Sequence, residues 1–220
     1  MKKVLLIEDR PKRQKDFLES ANIDLETYSD VLDNKIDSDF TNFMLKIKKD
    51  DFDLNIYEVV IAHQSIFINE DRVILGKLQS YCKKNKKSLV LFSGGNETSY
   101  SREDYELLHL SSEDFYSKNL ILFLEDLRQD SINIRILSFG KQWKLNIILN
   151  ILENVNIFID NNADEDIDYD DFANKTKINL ILGLDKKFYE MKIENNWVYL
   201  TEILKLRDSI INVVKELADE

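Results

Sequence analysis

A short apolar run near the start of the chain, Val4–Ile7, stops abruptly at Glu8 and Asp9, and Pro11 follows closely. Branched aliphatic runs are typical of buried β-strands, and proline is favoured at the first position of a helix. The pattern therefore predicts the first strand, turn and helix of an α/β sheet. Because ligands of open α/β sheets bind at the carboxyl ends of the strands, we expect the chemistry of this chain there.

Short apolar runs alternate with amphipathic segments as far as about residue 130, which is typical of a mainly parallel sheet covered by helices on both faces. Helical spacing and helix start signals predict helices after Pro11, at residues 40–47 and 73–81, and after Ser112. Because the interval from Ser93 to Ser111 is short, we predict a turn in place of the helix between those two strands. We predict five strands, at residues 4–7, 25–28, 59–62, 89–92 and 106–110.

The pattern changes beyond residue 130, where helices flank a possible antiparallel meander. We predict helices at residues 141–154 and 201–217 and strands at residues 178–184, 189–193 and 197–200. Asn195-Asn196 is a plausible turn dipeptide between the last two strands. The sequence therefore predicts one domain over residues 1–129 and a smaller α+β domain of unknown type over residues 130–220.

Composition and charge exclude several classes of protein. The chain is 44% hydrophobic and 32% charged, as expected for a globular protein, and its net charge of −11 argues against a surface that binds nucleic-acid phosphates. No stretch has the length and apolar character of a membrane span, and no secretory leader pattern is present. Cys82 is the single cysteine, which fits a reducing compartment. We expect a cytoplasmic protein with no nucleic-acid or membrane partner, and the oligomeric state stays open.

Three strand ends in the first half resemble the receiver domain of two-component response regulators, which has a flavodoxin-like fold with a five-stranded parallel sheet. Residues 4–9 (Val-Leu-Leu-Ile-Glu-Asp) are similar to the family's first strand and its acidic pair, which holds a magnesium ion. Residues 58–63 (Glu-Val-Val-Ile-Ala-His) are similar to the third strand, whose last residue in the family is the aspartate that accepts the phosphoryl group. Residues 89–94 (Leu-Val-Leu-Phe-Ser-Gly) are similar to the fourth strand with its hydroxyl residue. The resemblance covers roughly residues 1–129 and implies a role in bacterial signal transduction.

Two groups that the family needs for phosphoryl transfer are replaced. His63 stands where the resemblance requires the acceptor aspartate, and Ser111 and Ser112 stand where the family has a lysine. Phosphoryl transfer needs a nucleophile, a divalent cation and positive charge around the transferred group. We therefore predict a pseudo-receiver without catalytic residues, in a regulatory or adaptor protein that binds a protein partner independently of phosphorylation. Its pseudo-active-site pocket consists of Glu8, Asp9, His63, Ser93 and Gly94.

An alternative function uses the same pocket in a metal- or nucleotide-binding enzyme. Glu8, Asp9 and His63 could bind magnesium or a transition metal, because carboxylates and imidazole are suitable ligands, although no cofactor is predicted. Residues 91–98 resemble the phosphate loop of the ATP pyrophosphatase family, in which the glycines after Ser93 would let backbone amides approach a phosphate.

Three further interpretations concern His63, DNA binding and the acidic segment after residue 163. His63 could itself accept a phosphoryl group or sense pH, since imidazole titrates near neutrality. A transcriptional regulator is disfavoured by the acidity of the chain and by the lack of a recognisable helix-turn-helix. Residues 164–175 space carboxylates as a calcium loop does, but Tyr169 and Lys175 stand where glycine and glutamate are needed, so we predict a solvated acidic loop.

Overall fold

The computed structural model describes residues 3–67, 72–102, 104–162, 166–181 and 184–218. The chain divides into two compact units, Met1–Lys141 and Gln142–Glu220. The predicted boundary after residue 129 lies earlier in the chain, and a separate α+β domain over residues 130–220 stays a prediction. Among the described residues, no helix is both long enough and apolar enough to cross a membrane.

The first unit consists of strands and of the helices that connect them. Within the described residues its strands are β1 (Val4–Ile7), β2 (Leu32–Lys35), β3 (Val59–His63), β4 (Ser88–Ser93), β5 (Ser99–Ser101) and β6 (Leu107–Ser111). Its helices are α1 (Pro11–Ala21), α2 (Asp37–Lys48), α3 (Arg72–Asn85), α4 (Ser112–Phe115), α5 (Lys118–Arg128) and α6 (Ile136–Phe139). Two short 3-10 turns lie at Glu26–Tyr28 and Gln64–Phe67.

The strands form one sheet in the order β2-β1-β3-β4-β6-β5, in which only the edge pair of β5 and β6 is antiparallel. β1 and β3 are buried along their whole length, which explains why their sequences are continuous apolar runs. The α/β class is confirmed. The order of the parallel strands is consistent with a flavodoxin-like fold, whereas the receiver assignment stays a prediction.

The predicted number of five strands is wrong, because the sheet has six. Residues 25–28 were predicted as an edge strand, but Glu26–Tyr28 is a 3-10 turn and the edge strand is β2. The β2 sequence, Leu-Asp-Asn-Lys, contains one apolar residue, and it pairs through its backbone with β1 alone. β5 was not predicted, because only Tyr100 of its Ser-Tyr-Ser sequence is buried. As expected from the short interval, no helix joins β4 to β6 among the described residues.

The second unit combines long helices with a small antiparallel sheet. In the part that the structure describes, its helices are α7 (Trp143–Asn161), α8 (Tyr169–Thr176) and α9 (Leu200–Ala218). Its strands are β7 (Asp166–Asp168), β8 (Ile193–Glu194) and β9 (Trp197–Tyr199), and their order is β7-β9-β8. α7 packs against α9, and the Phe158 and Phe172 rings join α7 to α8 with centroids 5.2 Å apart.

The predicted meander is only partly present. β8 and β9 are joined by Asn195 and Asn196, whose φ angles of 50° and 68° are those that a tight hairpin turn needs. The strand predicted at residues 178–184 is instead a 3-10 turn, Ile178–Ile181, and residues 182 and 183 lie outside the described ranges. The sheet takes its third strand, β7, from the acidic segment, where Ile167 is buried between two aspartates. Residues 164 and 165 of the calcium-loop comparison also lie outside the described ranges.

Candidate functional site

The sheet topology brings the ends of β1 and β3 side by side. The two strands are parallel neighbours with Ile7 opposite Ala62, so Glu8 follows β1 at the level of His63, the last residue of β3. Glu8 is fully buried, His63 is 1% exposed, and Asp9 is partly exposed. The structure therefore places these three predicted pocket residues together, and we call them the strand-end cluster.

The side chains of the strand-end cluster converge on one ring nitrogen. His63 Nδ1 lies 2.8 Å from Asp9 Oδ1 and 3.6 Å from Glu8 Oε1. Ser65 Oγ lies 2.6 Å from the same nitrogen. One ligand atom from each member of the cluster lies within 4.8 Å of the others, so the donor set of the metal alternative is present.

Arg13 contacts the other ring nitrogen of His63. Its Nη2 meets His63 Nε2 and lies 3.6 Å from Glu8 Oε1. A guanidinium group only donates hydrogen bonds, so Nε2 must accept, and the ring proton is on Nδ1, which donates to Asp9. In this tautomer Nδ1 has no free lone pair for a metal ion. His63 is therefore a hydrogen-bonded bridge between Arg13 and Asp9.

Glu8 is held in the interior by several donors. Tyr116 Oη donates to Oε2 at 2.9 Å, and the Arg10 backbone amide donates to Oε1 at 3.0 Å. Burial raises the pKa of Glu8, and the proximity of His63, together with the hydrogen bonds from Tyr116 and Arg10, reduces that rise without cancelling it. Burial also raises the pKa of Tyr116 well above its usual value, so the phenol keeps its proton and remains a donor.

The pKa of Asp9 shifts in the opposite direction from the pKa of Glu8. Burial acts to raise the pKa of Asp9, but hydrogen bonds from His63 and Glu8 outweigh burial and lower it. Opposite pKa shifts of two neighbouring carboxyl groups also occur in enzymes that use acid–base catalysis. A Ser-His-Asp triad, however, uses both ring nitrogens, whereas Asp9 and Ser65 both contact Nδ1 of His63. The cluster therefore does not form such a triad.

Aromatic rings pack around the strand-end cluster. The centroid of Phe92 lies 5.2 Å from that of His63, and Phe92 stacks on Phe115 at 4.2 Å. Tyr116 meets Phe92 edge-on at 5.5 Å and stacks on Phe17 at 5.3 Å. Phe92, Phe115 and Tyr116 are buried. On this side the cluster borders packed aromatic rings.

The two other predicted pocket residues lie at the same edge of the sheet but outside the cluster. Ser93 ends β4 and donates to Asn96 Oδ1 at 3.0 Å, and Gly94 lies in the exposed turn that follows. The chain continues from this turn to β5, with no helix between them among the described residues. Neither Gly94 nor Gly95 has a positive φ, and an added Cβ would meet no atom within 4 Å. Within the protein itself, this turn therefore does not need glycine.

The end of β6 carries hydroxyl groups. Ser111 accepts a hydrogen bond from the Asp114 amide at 3.0 Å and caps α4, as its sequence predicted, and Ser112 is buried. Among the described residues, the cations next to the strand-end cluster are guanidinium groups. Arg13 contacts His63 and Glu8, and Arg10 Nε lies 3.7 Å from Asp9 Oδ2.

No family model, curated protein or solved structure matches this chain. The strand-end cluster is therefore interpreted from its own geometry. Sequence reasoning found its three members but missed Arg13 and Tyr116. One signal was present in Gln14, a polar residue on the apolar face of α1 that hydrogen-bonds to Tyr116 at 3.3 Å. Tyr116 itself gave no signal, because it lies 108 positions from Glu8 in the sequence.

Proposed function

We propose that this chain is a regulatory or adaptor protein that binds a protein partner, and that its first unit is a pseudo-receiver independent of aspartyl phosphate. The supporting observation is that the side chain of His63 is buried and hydrogen-bonded. It ends the strand on which the resemblance requires the acceptor aspartate, it is 1% exposed, and both of its ring nitrogens are hydrogen-bonded. Because His63 is buried and hydrogen-bonded in this way, we expect the unit to act through its surface and not through this side chain.

Phosphorylation of His63 itself would require its contacts to break. An attacking nitrogen must be unprotonated and accessible, but Nδ1 donates its proton to Asp9 and Nε2 contacts Arg13. A phosphoryl group at Nδ1 would also lie beside two carboxyl side chains, and a charged carboxylate repels it. These contacts support a role in which His63 stabilises the fold and does not react.

Incubation with acetyl phosphate and Mg²⁺ tests the independence from phosphorylation. We expect the intact mass of the full chain to stay unchanged, while an active receiver domain in a parallel reaction gains one phosphoryl group. A stable gain of one phosphoryl group on the wild-type chain, lost in His63→Ala or Asp9→Asn, would contradict the proposal.

Capture of binding proteins from the native host tests the adaptor role. The tagged full chain is expected to retain a protein partner at a defined stoichiometry. The partner should also bind His63→Asn, which removes the imidazole, and should bind equally with and without acetyl phosphate. Binding that appears only after phosphorylation would exclude the proposed independence.

A metal-binding enzyme is the second candidate, and the convergence of three ligand atoms within 4.8 Å favours it. In the arrangement described, these residues do not fit a metal ion. The proton on His63 Nδ1 blocks one ligand position, and Arg13 places positive charge 3.6 Å from Glu8 Oε1. Metal binding would require the loss of that proton and the movement of Arg13 away from the cluster.

Titration calorimetry with Mg²⁺, Mn²⁺ and Zn²⁺ separates the two candidates. We expect no saturable binding by the wild-type chain and measurable Zn²⁺ binding by Arg13→Ala, in which the competing guanidinium group is removed. Saturable binding by the wild-type chain would favour the metal candidate. Thermal stabilisation by ATP that is lost in Gly94→Val would favour the nucleotide alternative, because that substitution meets no steric obstacle in the protein.

A further inference from the structure

Two large aromatic side chains of the second unit are exposed on its small sheet. Trp197 is 53% exposed and Tyr199 is 54% exposed, while Val198 between them is buried. Alternate residues of a strand point to the same face of a sheet. Both rings therefore project from the face of β9 opposite to Val198.

Carboxylates flank both rings across the neighbouring strands. Trp197 lies opposite Asp168 of β7 and Glu194 of β8, and Tyr199 lies opposite Asp166 of β7. Directly paired residues share a face of the sheet. We call this set of five side chains the aromatic-acidic face. Most of its members line a shallow cavity of about 360 Å³.

All the charged side chains of the aromatic-acidic face are negative. β7, β8 and β9 contain three carboxylates and no lysine or arginine. Asp168 is held in place because it accepts hydrogen bonds from the Asp171 amide at 2.9 Å and from Asn196 Nδ2 at 3.2 Å. Neither Asp166 nor Glu194 forms an ion pair within the described ranges. Two carboxylates and two aromatic rings are thus free to bind a partner.

We infer that the aromatic-acidic face binds a lysine- or arginine-bearing segment of a partner protein. Cations bind to the faces of tryptophan and tyrosine rings, and carboxylates form charge-assisted hydrogen bonds with the same groups. Exposed tryptophan and tyrosine are also enriched among the residues that dominate protein interfaces. Nucleic acids and anionic membranes present phosphates, which these carboxylates repel. The inference rests on the proposed adaptor function and states the chemistry of the partner.

NMR titration of the full chain with defined peptides tests this inference. The probe is a peptide of three Arg-Gly-Lys-Ser repeats, and its control is a peptide of three Glu-Gly-Asp-Ser repeats. The chain has two tryptophans, so the indole signal of Trp197 can be distinguished from that of Trp143. We expect the basic peptide to shift the Trp197 signal saturably and the acidic peptide to leave it unchanged.

Matched variants separate a specific face from general attraction to an acidic protein. Trp197→Ala combined with Tyr199→Ala removes the rings, and Asp166→Asn combined with Glu194→Gln removes the free charges. We expect each pair to weaken binding of the basic peptide roughly fivefold to tenfold. Glu153→Gln combined with Asp160→Asn changes the net charge equally on the exposed side of α7 and should leave the affinity unchanged.

Several results would overturn the inference. These are absence of binding by the basic peptide, equal weakening by the α7 variants, and concentration-dependent self-association that covers Trp197. The proposed function is tested separately. If the peptide does not bind but a host partner is captured equally by wild type and by Trp197→Ala, the inference fails and the adaptor role stands. If the chain takes up a phosphoryl group, the proposed function fails, regardless of whether the peptide binds.

Discussion

The contacts of single residues show which groups hold the ionisable side chains of the strand-end cluster in place. The guanidinium group of Arg13 contacts His63 Nε2 and lies 3.6 Å from Glu8 Oε1. It is therefore next to two buried side chains. A buried polar group that loses its partner destabilises a fold by about 1–3 kcal/mol. Arg10 also lies near the cluster, but its side chain is 56% exposed. The two arginines should therefore differ in their contribution to stability.

Arg13→Ala is expected to lower the free energy of unfolding by about 1–3 kcal/mol, because His63 Nε2 loses its donor and Glu8 loses a neighbouring positive charge. Arg10→Ala is the matched control and should change the free energy of unfolding by less than about 0.5 kcal/mol. Urea unfolding at neutral pH measures both values. Equal effects of the two substitutions would show that Arg13 does not have the role assigned to it.

Among the secondary-structure elements, α9 is tied to the segment before β8 through one carboxylate. Glu202 accepts hydrogen bonds from Lys205 Nζ at 2.6 Å, Tyr189 Oη at 2.8 Å and the Lys192 amide at 3.0 Å. The hydrogen bond from Lys205 is the main cause that lowers the pKa of Glu202 to about 2. The ionised form of this side chain thus stabilises the second unit.

Acid is expected to weaken the second unit through Glu202. Folding lowers the pKa of this carboxyl from its ordinary value of 4.5 to about 2. Its contribution is therefore complete above pH 4.5 and is lost as the pH falls towards 2. Glu202→Gln should be less stable at neutral pH and should lose stability less steeply in acid. Glu153→Gln, an exposed control, should keep the wild-type profile in thermal unfolding followed by circular dichroism.

At the scale of the whole molecule, the C-terminal boundary of the first unit determines which residues support the strand-end cluster. α6 lies beyond the predicted boundary at residue 129, yet it packs against α4 and α5. Ile134, Ile136 and Leu137 in and before this helix are buried. α4 is followed directly by Tyr116, whose hydroxyl binds Glu8. The segment after residue 129 is therefore expected to be part of the first unit.

A chain that ends at residue 141 is expected to be more stable than one that ends at residue 129. The shorter chain lacks three buried aliphatic side chains, each of which contributes at most about 1.5–3 kcal/mol when fully buried. Urea unfolding of both chains, followed by tyrosine fluorescence, gives the comparison. Equal stability of the two chains would favour the earlier boundary.

Elements with continuous burial or regular periodicity were predicted well, and elements held by their neighbours were not. β1, β3 and β4 are apolar runs, and α9 keeps one apolar face along its length, so local patterns located all four. β2 and β5 are short edge strands whose pairing depends mainly on the backbone of one neighbour. The apolar alternation of residues 178–181 indicated a strand, but the chain forms a 3-10 turn there that buries Ile178 and Leu180.

Local patterns were thus sufficient for the α/β class, for the polar strand ends and for the three members of the strand-end cluster, because abrupt changes from apolar to polar residues are properties of neighbouring positions. The folded chain revealed what no such pattern contains. It placed Arg13 and Tyr116 around Glu8 and His63, left Ser93 and Gly94 outside the cluster, and set Trp197 between two acidic strands. The contacts of Arg13 with His63, of Tyr116 with Glu8 and of β9 with β7 join residues far apart in the chain, and their formation depends on how whole strands and helices align.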